Sequence, residues 1–332
     1  MTASKIDIVL PNRIGDAILT LPSLVCLKQL RGKYGGFDSE YKLITHLPLE
    51  EILQALNLFK VSRMTLGEKI NSWLTPSDKA FFLVTTSRNL GYHSRLSHGL
   101  SLPNKKLVRY SKNLAYLNYP YPEDALPKAL VEFLKSRFGF ACSTIRHFGI
   151  CLESGYTVEQ IRQTFRFDKT SLSPAGDFFD WKPPVPSHYL VFCMEAASGS
   201  KRKQNADRRW QEEYFFDLAE TAFKKYSLQA AFIGISNVPE LPDKPYFIDF
   251  RQKHSLKQTA LLLHYSGGYV GNDTGPLHLS NLMKKNAIGI YMREDDLLNN
   301  SPIFPQLTTK FLKPVSSEEI YPALGKLVSL SL

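Results

Sequence analysis

The chain of 332 residues is long enough for two domains, and its contents of 43% hydrophobic and 22% charged residues are typical of a soluble globular protein. It has no apolar run of the roughly 18–20 residues that span a bilayer, and its N-terminus lacks the basic, apolar and small-residue regions of a signal peptide, so we expect no membrane span. Its four cysteines show no C-x-x-C spacing, so we expect neither a zinc site nor a disulfide framework. The net charge of +10 favours an anionic partner such as a nucleotide, a phosphorylated acceptor or an anionic membrane surface; nucleic acid is least favoured because no recognised motif accompanies the charge.

The first half of the chain alternates predicted strands and helices, a pattern typical of a parallel sheet. Strands are predicted over 6–10, 41–45 and 81–85, and helices over 17–30, 50–59 and 122–138. The loop after the first strand ends in Asp16, at the edge of the sheet where open α/β folds keep their sites, although Asp16 would also serve as a plain helix N-cap. Arg88 and Arg95 follow the third predicted strand. They are interpreted either as solvated surface residues or as residues that contact an anionic ligand.

A proline-rich stretch separates this half from a second half with the same alternation. Proline at the density found between 168 and 188 continues neither a helix nor a central strand, so this stretch is interpreted as an interdomain linker. The second half predicts strands over 189–194, 230–235 and 287–291, and helices over 211–226, 256–264 and 317–328. The expected domains are 1–170 and 188–315, joined by a linker over 171–187 and followed by a C-terminal helical segment over 316–332, for which packing back on the first domain is one option.

A basic segment precedes the predicted helix over 211–226. Residues 201–210 carry five cations and one anion. Such a charge run is most often a solvated loop, but a position after a strand and before a helix also suits a diphosphate. Because the planar guanidinium matches phosphate oxygens through two N–H groups, Arg208 is the candidate phosphate ligand of this segment.

The segment Gly271–Leu279 predicts a turn between a short buried strand and a helix. Asp273 or Thr274 is the expected N-cap, with Pro276 in the first helical turn. Free N–H groups at the positive end of the helix dipole, with the Thr274 hydroxyl beside them, suit a phosphate, although an ordinary capped helix has the same pattern. His278 on that helix is a core histidine, a donor to a nucleotide, or neither, because no ligand at metal-binding spacing accompanies it.

Motifs of other α/β enzymes are absent from the sequence. There is no G-x-G-x-x-G after the first predicted strand, no G-x-x-x-x-G-K-[ST] and no G-x-S-x-G. The sequence therefore does not favour a standard dinucleotide-binding fold, and it lacks the motifs of a P-loop NTPase and of an α/β-hydrolase.

Three segments together resemble glycosyltransferase family 9, the lipopolysaccharide heptosyltransferase family. Residues 13–22 resemble its N-terminal motif, residues 208–210 its motif of a basic residue before tryptophan, and residues 271–279 its Asp-Thr-Gly…His signature. They occur in the family's order and spacing, so the resemblance covers nearly the whole chain. It implies an α/β fold of GT-B architecture, in which two Rossmann-like domains with parallel sheets face each other across a cleft and bind acceptor and nucleotide-sugar respectively.

The resemblance also implies an inverting transfer that needs no metal or other cofactor, with Asp16 as general base. An acceptor hydroxyl is a poor nucleophile and needs a carboxylate to take its proton, while the departing diphosphate needs cations and a helix N-terminus. The donor-binding residues implied are Ser198, Gly199, Arg208, Glu240, His254, Asp273, Thr274, Gly275 and His278. The candidate acceptor-binding residues are Arg13, in the N-terminal motif, and Arg88 and Arg95, which follow a predicted strand.

The expected reaction is heptose transfer from ADP-heptose to a lipid-linked lipopolysaccharide core acceptor, by a cytoplasmic enzyme held at the inner membrane by its positive charge. Three departures from the family leave another nucleotide-sugar or a non-heptose acceptor open: residues 195–200 differ from the Gly-Ala-Ser type of loop, Arg208 replaces a lysine, and Glu240 is a loose counterpart of a ribose-binding acid. A non-catalytic nucleotide- or glycan-binding relative also stays open, although Asp16 argues against it.

Overall fold

The structure is a computed structural model, which describes residues 4–35, 39–45, 47–65, 77–83, 101–102, 105–106, 111–116, 126–185, 188–198, 203–204, 206–236 and 239–330. The chain forms two compact units, Met1–Gly176 and Asp177–Leu332, each built around a parallel sheet. The boundary falls within the proline-rich stretch, where the side chains of Leu172 and Phe178 are buried. Among the described residues, no helix is both long and apolar enough to cross a membrane.

The sheet of the first unit is parallel, as predicted. Its described strands are β1 Ser4–Val9, β2 Ser39–Thr45, β3 Lys60–Arg63, β4 Ser77–Phe82 and β7 Ser111–Tyr116, beside a small antiparallel pair of β5 Ser101–Leu102 and β6 Lys105–Lys106. The order β3-β2-β1-β4-β7 puts β1 in the centre, where Val9 pairs with Ile44 on one side and Phe82 on the other. The segment that follows β1 therefore leaves from the middle of the sheet's carboxyl edge.

One predicted helix of the first unit is two helices. The described helices of this unit are Ile14–Leu19, Leu21–Tyr34, Glu50–Ala55, Lys128–Phe138, Cys142–Ile145, Gly149–Glu153 and Val158–Thr164. The single helix predicted over 17–30 is wrong because Pro22 lacks an N–H group and would clash with a preceding helical carbonyl. Instead, Pro22 is the second residue of a new helix, and the Thr20 hydroxyl donates to the Ala17 carbonyl at 2.7 Å where the first helix ends. Asp16 thus lies on a separate helix of six residues.

The second unit repeats the parallel arrangement with a longer sheet. Its strands are β8 Tyr189–Cys193, β9 Ala197–Ser198, β10 Lys203–Gln204, β11 Gln229–Phe232, β12 Phe247–Asp249, β13 Tyr269–Asn272, β14 Ala287–Tyr291 and β15 Thr308–Leu312. The main sheet has the order β12-β11-β8-β13-β14-β15, and β9 and β10 pair separately in antiparallel fashion at the base of the basic segment. The sequence did not predict β12 and β15. Both are edge strands with partly exposed residues, so they lack the continuous apolar run that marks a central strand.

The C-terminal helix packs on the sheet of its own unit. The helices of the second unit are Glu212–Tyr226, Leu256–Tyr265, Gly275–Leu282, Glu294–Asn299 and Tyr321–Ser329. Leu324 and Leu327 of the last helix join one buried cluster with Phe215, and a Cβ atom on Gly268 would lie only 2.7 Å from the Leu327 side chain. The C-terminal helix is therefore part of the second unit, Asp177–Leu332. Burial of its apolar face within the second unit is the physical reason.

Candidate functional site

The turn after β13 has the form predicted for an anion-binding helix start. Thr274 is the N-cap residue in extended backbone conformation, and Pro276 is the second residue of the helix Gly275–Leu282. Over residues 269–283, only Thr274, Gly275 and Pro276 are partly exposed, while the rest are buried. Because the first N–H groups of a helix have no intrahelical acceptor, the accessible residues of this segment are also those whose N–H groups have no acceptor within the helix.

Gly271 of β13 allows this turn to sit close to the neighbouring strand. A Cβ atom at Gly271 would collide with the hydroxyl of Tyr269 and lie 2.8 Å from the carbonyl oxygen of Cys193. Both obstacles are in the buried core, where neither can move into solvent. A residue larger than glycine would therefore displace β13 or Tyr269, and with it the turn.

Asn272 joins three segments beneath the turn. Its side chain is fully buried; Nδ2 donates to the carbonyl of Met194 at 2.7 Å, and Oδ1 accepts from the backbone N–H of Trp210 at 3.1 Å. Trp210 is itself buried and donates through Nε1 to the carbonyl of Pro314 at 2.8 Å. The buried amide and indole therefore fix the segment that carries Arg208 against the end of β13. The sequence marked Asn272 only as part of the motif and missed this role.

Arg208 lies beside the turn, as predicted, and two carboxylates already contact it. Its Nη2 donates to Asp273 Oδ2 at 2.6 Å and to the Asp273 carbonyl at 3.0 Å, and its Nε lies 3.0 Å from Asp296 Oδ2. Asn300 Nδ2 contacts Asp273 Oδ2 at 3.4 Å. The Asp273 side chain is 5% exposed and that of Arg208 is 21% exposed. Asp273 therefore holds Arg208 rather than facing solvent, and Asp296 is a member of this cluster that the sequence did not reveal.

The charges of this cluster affect other side chains around it. His278 is buried, with Nε2 at 3.6 Å from Asp273 Oδ1, so it faces the carboxylate and not solvent. Burial lowers the pKa of Lys310, although the negative charge of Asp273 opposes that shift. Burial, followed by the charges of Asp273 and Asp296, raises the pKa of Tyr291, which keeps the phenol neutral. The charge of Asp273 thus affects His278, Lys310 and Tyr291.

A buried glutamate fixes the loop after β11. Glu195 Oε2 accepts from the N–H of Ile235 at 2.8 Å, and Oε1 accepts from the N–H of Ser236 at 2.6 Å. Burial raises the pKa of Glu195, while these two hydrogen bonds lower it. A Cβ atom on Gly234 would lie 2.6 Å from Glu195 Oε1, so the glycine makes the close approach possible. The exposed Glu240 follows on the same loop, at the carboxyl edge of the sheet.

The other predicted donor-side residues are distributed around the same edge. His254 follows β12 and packs between the rings of Trp181 and Phe250, with centroid distances of 5.3 and 4.8 Å. Burial and then Lys253 lower its pKa, which favours the neutral ring. The backbone of Ser198 pairs with Lys203 in the small hairpin of β9 and β10. Gly199, and the predicted acceptor-side residues Arg88 and Arg95, lie outside the described residues.

In the first unit, Asp16 is in the first turn of its helix and not at its cap. The N-cap position belongs to the exposed Arg13, so the interpretation of Asp16 as a plain N-cap is wrong. The helix Cys142–Ile145 packs against the helix of Asp16 and leads directly into Arg146. Burial lowers the pKa of Arg146, and the charge of Asp16 opposes that shift, so the two side chains interact electrostatically. No sequence motif marks Arg146.

The comparison with protein families decides the identity of the fold and its activity class. Residues 143–309 match the family described as glycosyltransferase family 9 (heptosyltransferase). The chain belongs to this family. The match includes Arg208, Asp273 and Asp296, whereas Asp16 lies before it. No match was found among curated proteins.

Solved structures agree with the family over the whole chain. The E. coli ADP-heptose lps heptosyltransferase II has 12% identity and a TM-score of 0.67, and 98% of each chain is covered. A glycosyl transferase family 9 structure from Veillonella parvula DSM 2008 has 13% identity and a TM-score of 0.62 over 99% of each chain. The E. coli heptosyltransferase WaaC with ADP has 14% identity and a TM-score of 0.60, covering 97% of this chain and 99% of that one. The family 9 chain is thus a glycosyltransferase of GT-B architecture, as the sequence predicted.

Proposed function

We propose that this glycosyltransferase moves a heptose from ADP-heptose to a lipid-linked lipopolysaccharide core acceptor, with inversion at the anomeric carbon and without a metal ion. The observation that carries the proposal is the position of Arg208 beside the partly exposed start of the helix at Thr274 and Gly275. The choice of donor is supported by one structural neighbour described with ADP and by one described with ADP-2-deoxy-2-fluoro heptose.

The donor diphosphate binds at the turn of the second unit in this proposal. Thr274 and Gly275 offer N–H groups, Gly275 without a side chain in the way, and the helix dipole adds positive potential. The Thr274 hydroxyl, which donates to the Asn272 carbonyl at 3.2 Å, turns to the phosphate when the donor binds. Arg208 supplies the cation that answers the charge gained by the departing nucleoside diphosphate. Ser198 and Gly199 extend the same donor site. Glu240 and His254, in the segments that follow β11 and β12, are proposed to contact the nucleoside part.

Asp16 is the proposed general base. As the acceptor oxygen bonds to the anomeric carbon, the bond from that carbon to the diphosphate oxygen breaks, and the proton of the hydroxyl passes to the Asp16 carboxylate. A single displacement of this kind inverts the configuration. Arg146 holds the Asp16 side chain in place, and Arg13, Arg88 and Arg95 bind anionic groups of the acceptor. The net charge of +10 supports peripheral attachment to an anionic inner-membrane surface.

Replacement of Asp16 by asparagine tests the catalytic part of the proposal. Asn keeps the size of the side chain and loses its basicity, so transfer should fall about 10²- to 10⁴-fold while the melting temperature changes little. Replacement of the exposed Asp180 by asparagine is the matched control and should leave the rate unchanged. A wild-type rate in the Asp16 variant would remove Asp16 from the mechanism.

A thermal-shift panel tests the donor. ADP at about 100 times its dissociation constant should stabilise the protein by about 2.7 kcal/mol, with or without magnesium. A shift with UDP or GDP instead of ADP would replace the donor and keep the reaction class. A shift that appears only with magnesium would contradict a metal-independent site.

A further inference from the structure

The guanidinium edge of Arg208 is divided between two carboxylates. An arginine presents its Nε and Nη2 N–H groups side by side, and this edge binds one carboxylate or one phosphate through two parallel bonds. Arg251 uses the edge in that way, with Nε and Nη2 each 2.9 Å from the two oxygens of Asp249. In Arg208, by contrast, Nη2 contacts Asp273 and Nε contacts Asp296. A diphosphate oxygen that accepts from Nε must therefore displace Asp296.

Asp273 is the carboxylate that stays. Its backbone N–H donates to the carbonyl of Ile290 at 2.9 Å, which continues the pairing of β13 with β14. Its side chain is 5% exposed and also lies near His278 and Asn300. Movement of Asp273 would therefore expose or break buried contacts on several sides.

Asp296 is the carboxylate that can leave. It lies on the short helix Glu294–Asn299, in which no residue is buried, and its side chain is 17% exposed. Away from Arg208, it keeps a contact from Asn300 Nδ2 at 3.2 Å and the exposed Arg293 at 3.8 Å. Asp296 can thus turn from Arg208 towards these two residues without being left unpaired.

We propose that Asp296 competes with the donor diphosphate for the Nε group of Arg208 and thereby sets the affinity of the site. This proposal rests on the proposed function of Arg208 as a diphosphate ligand. When the diphosphate binds, Asp296 releases Nε; when the nucleoside diphosphate leaves after transfer, Asp296 returns. Its negative charge lies beside the bound product and weakens its retention, which favours turnover at the expense of affinity.

The test is calorimetric titration of the full chain with ADP, and with inorganic pyrophosphate as a probe that does not depend on the base. Asp296→Ala should bind both ligands about three- to five-fold more tightly than wild type, which is the upper part of the range measured for exposed ion pairs. Asp295→Ala removes the same charge from the neighbouring, exposed position of the same helix, and its affinity should stay within about two-fold of wild type. Asp296→Asn keeps the shape of the side chain, so it tests the same change if the alanine variant unfolds.

Arg208→Ala separates this proposal from the function on which it rests. That variant should bind at least about ten-fold more weakly. If it does, but Asp296→Ala and Asp296→Asn bind no more tightly than wild type, competition by Asp296 is wrong. If the Asp295 and Asp296 variants gain equally, the effect is general electrostatics, and the proposal is again overturned. If Arg208→Ala binds normally, the phosphate role of Arg208 fails first, and the role of Asp296 fails with it.

Discussion

Replacement of Asn272 by alanine should damage both the stability of the second unit and its nucleotide site. The fully buried amide is the connection between the ends of β8 and β13 and the segment Arg208–Trp210. Its removal leaves the carbonyl of Met194 and the N–H of Trp210 without these partners, at residues that are 4% and 2% exposed. The hydrogen bond from the Trp210 N–H to Asn272, which holds the neighbouring Arg208 beside the turn, is lost at the same time.

The size of the effect follows from those two orphaned groups. Each buried polar group left unpaired costs about 1–3 kcal/mol, and we expect a total loss of about 3 kcal/mol because water can enter the space left by the amide. For a unit of this size, each kcal/mol lowers the melting temperature by roughly 2–4 °C, so a fall of about 6–12 °C is expected. Binding of ADP should weaken about ten-fold because Arg208 is no longer fixed.

Asn281→Ala is the matched control for this prediction. Asn281 is also fully buried, and it makes two hydrogen bonds of 2.8 Å with the backbone of Phe304, on the helix that follows the turn. Both variants should lose comparable stability in thermal or urea unfolding, but only Asn272→Ala should lose affinity for ADP in titrations below its melting temperature. Equal losses of affinity in the two variants, or a melting temperature of Asn272→Ala within about 2 °C of wild type, would refute the reasoning.

Three further predictions concern other buried groups. Burial, and then the charge of Arg146, hold the pKa of the fully buried His147 well below its usual value. The unfolded chain therefore takes up a proton below its pKa of about 6.5 while the folded protein does not, so the free energy of unfolding should fall by up to about 1.4 kcal/mol per pH unit as the pH drops below that value. Between pH 7.5 and 5, the free energy of unfolding of His147→Gln should change less with pH than that of wild type. Gly271→Ala should lower stability by about 1–3 kcal/mol, and adding Tyr269→Phe should recover part of it because the colliding hydroxyl is removed; a double variant no more stable than the single one would contradict this collision. Arg146→Met should reduce the transfer rate more than Arg146→Lys does, with ADP binding unchanged in both; equal rates in the two variants would show that the charge near Asp16 is not needed.

Much of the fold could be predicted because local sequence determines it. The central strands β8 and β14 are continuous apolar runs, and the strand predicted over 287–291 has the bounds of β14. The helix Leu256–Tyr265 begins at a Ser255 capping box with Gln258, a pattern that can be read directly from the residues. The edge strands β12 and β15 could not be predicted in the same way, because their residues are partly exposed and form no continuous apolar run.

The candidate site was predicted in part. Arg208 and the turn at Thr274 were identified from motifs, and the structure brings them together. Asp296 and Arg146 were missed because each interacts with a residue far away in sequence, Arg208 and Asp16 respectively. The pairing of Asp296 with Arg208 depends on the order of strands in the sheet, which no local pattern of either segment encodes.

The motif Gly271–Leu279 therefore combines two kinds of residue that the sequence presents as one. Gly271, Asn272 and Asp273 are buried and fix the end of β13 against its neighbours and against Arg208. Thr274 and Gly275 are partly exposed and hold the groups that a phosphate can reach. Changes in the buried residues should act on stability and on the position of Arg208 together, whereas changes at the exposed ones should act on binding with little effect on stability. A loss of binding after substitution in this motif is evidence of direct ligand contact only if the free energy of unfolding stays the same.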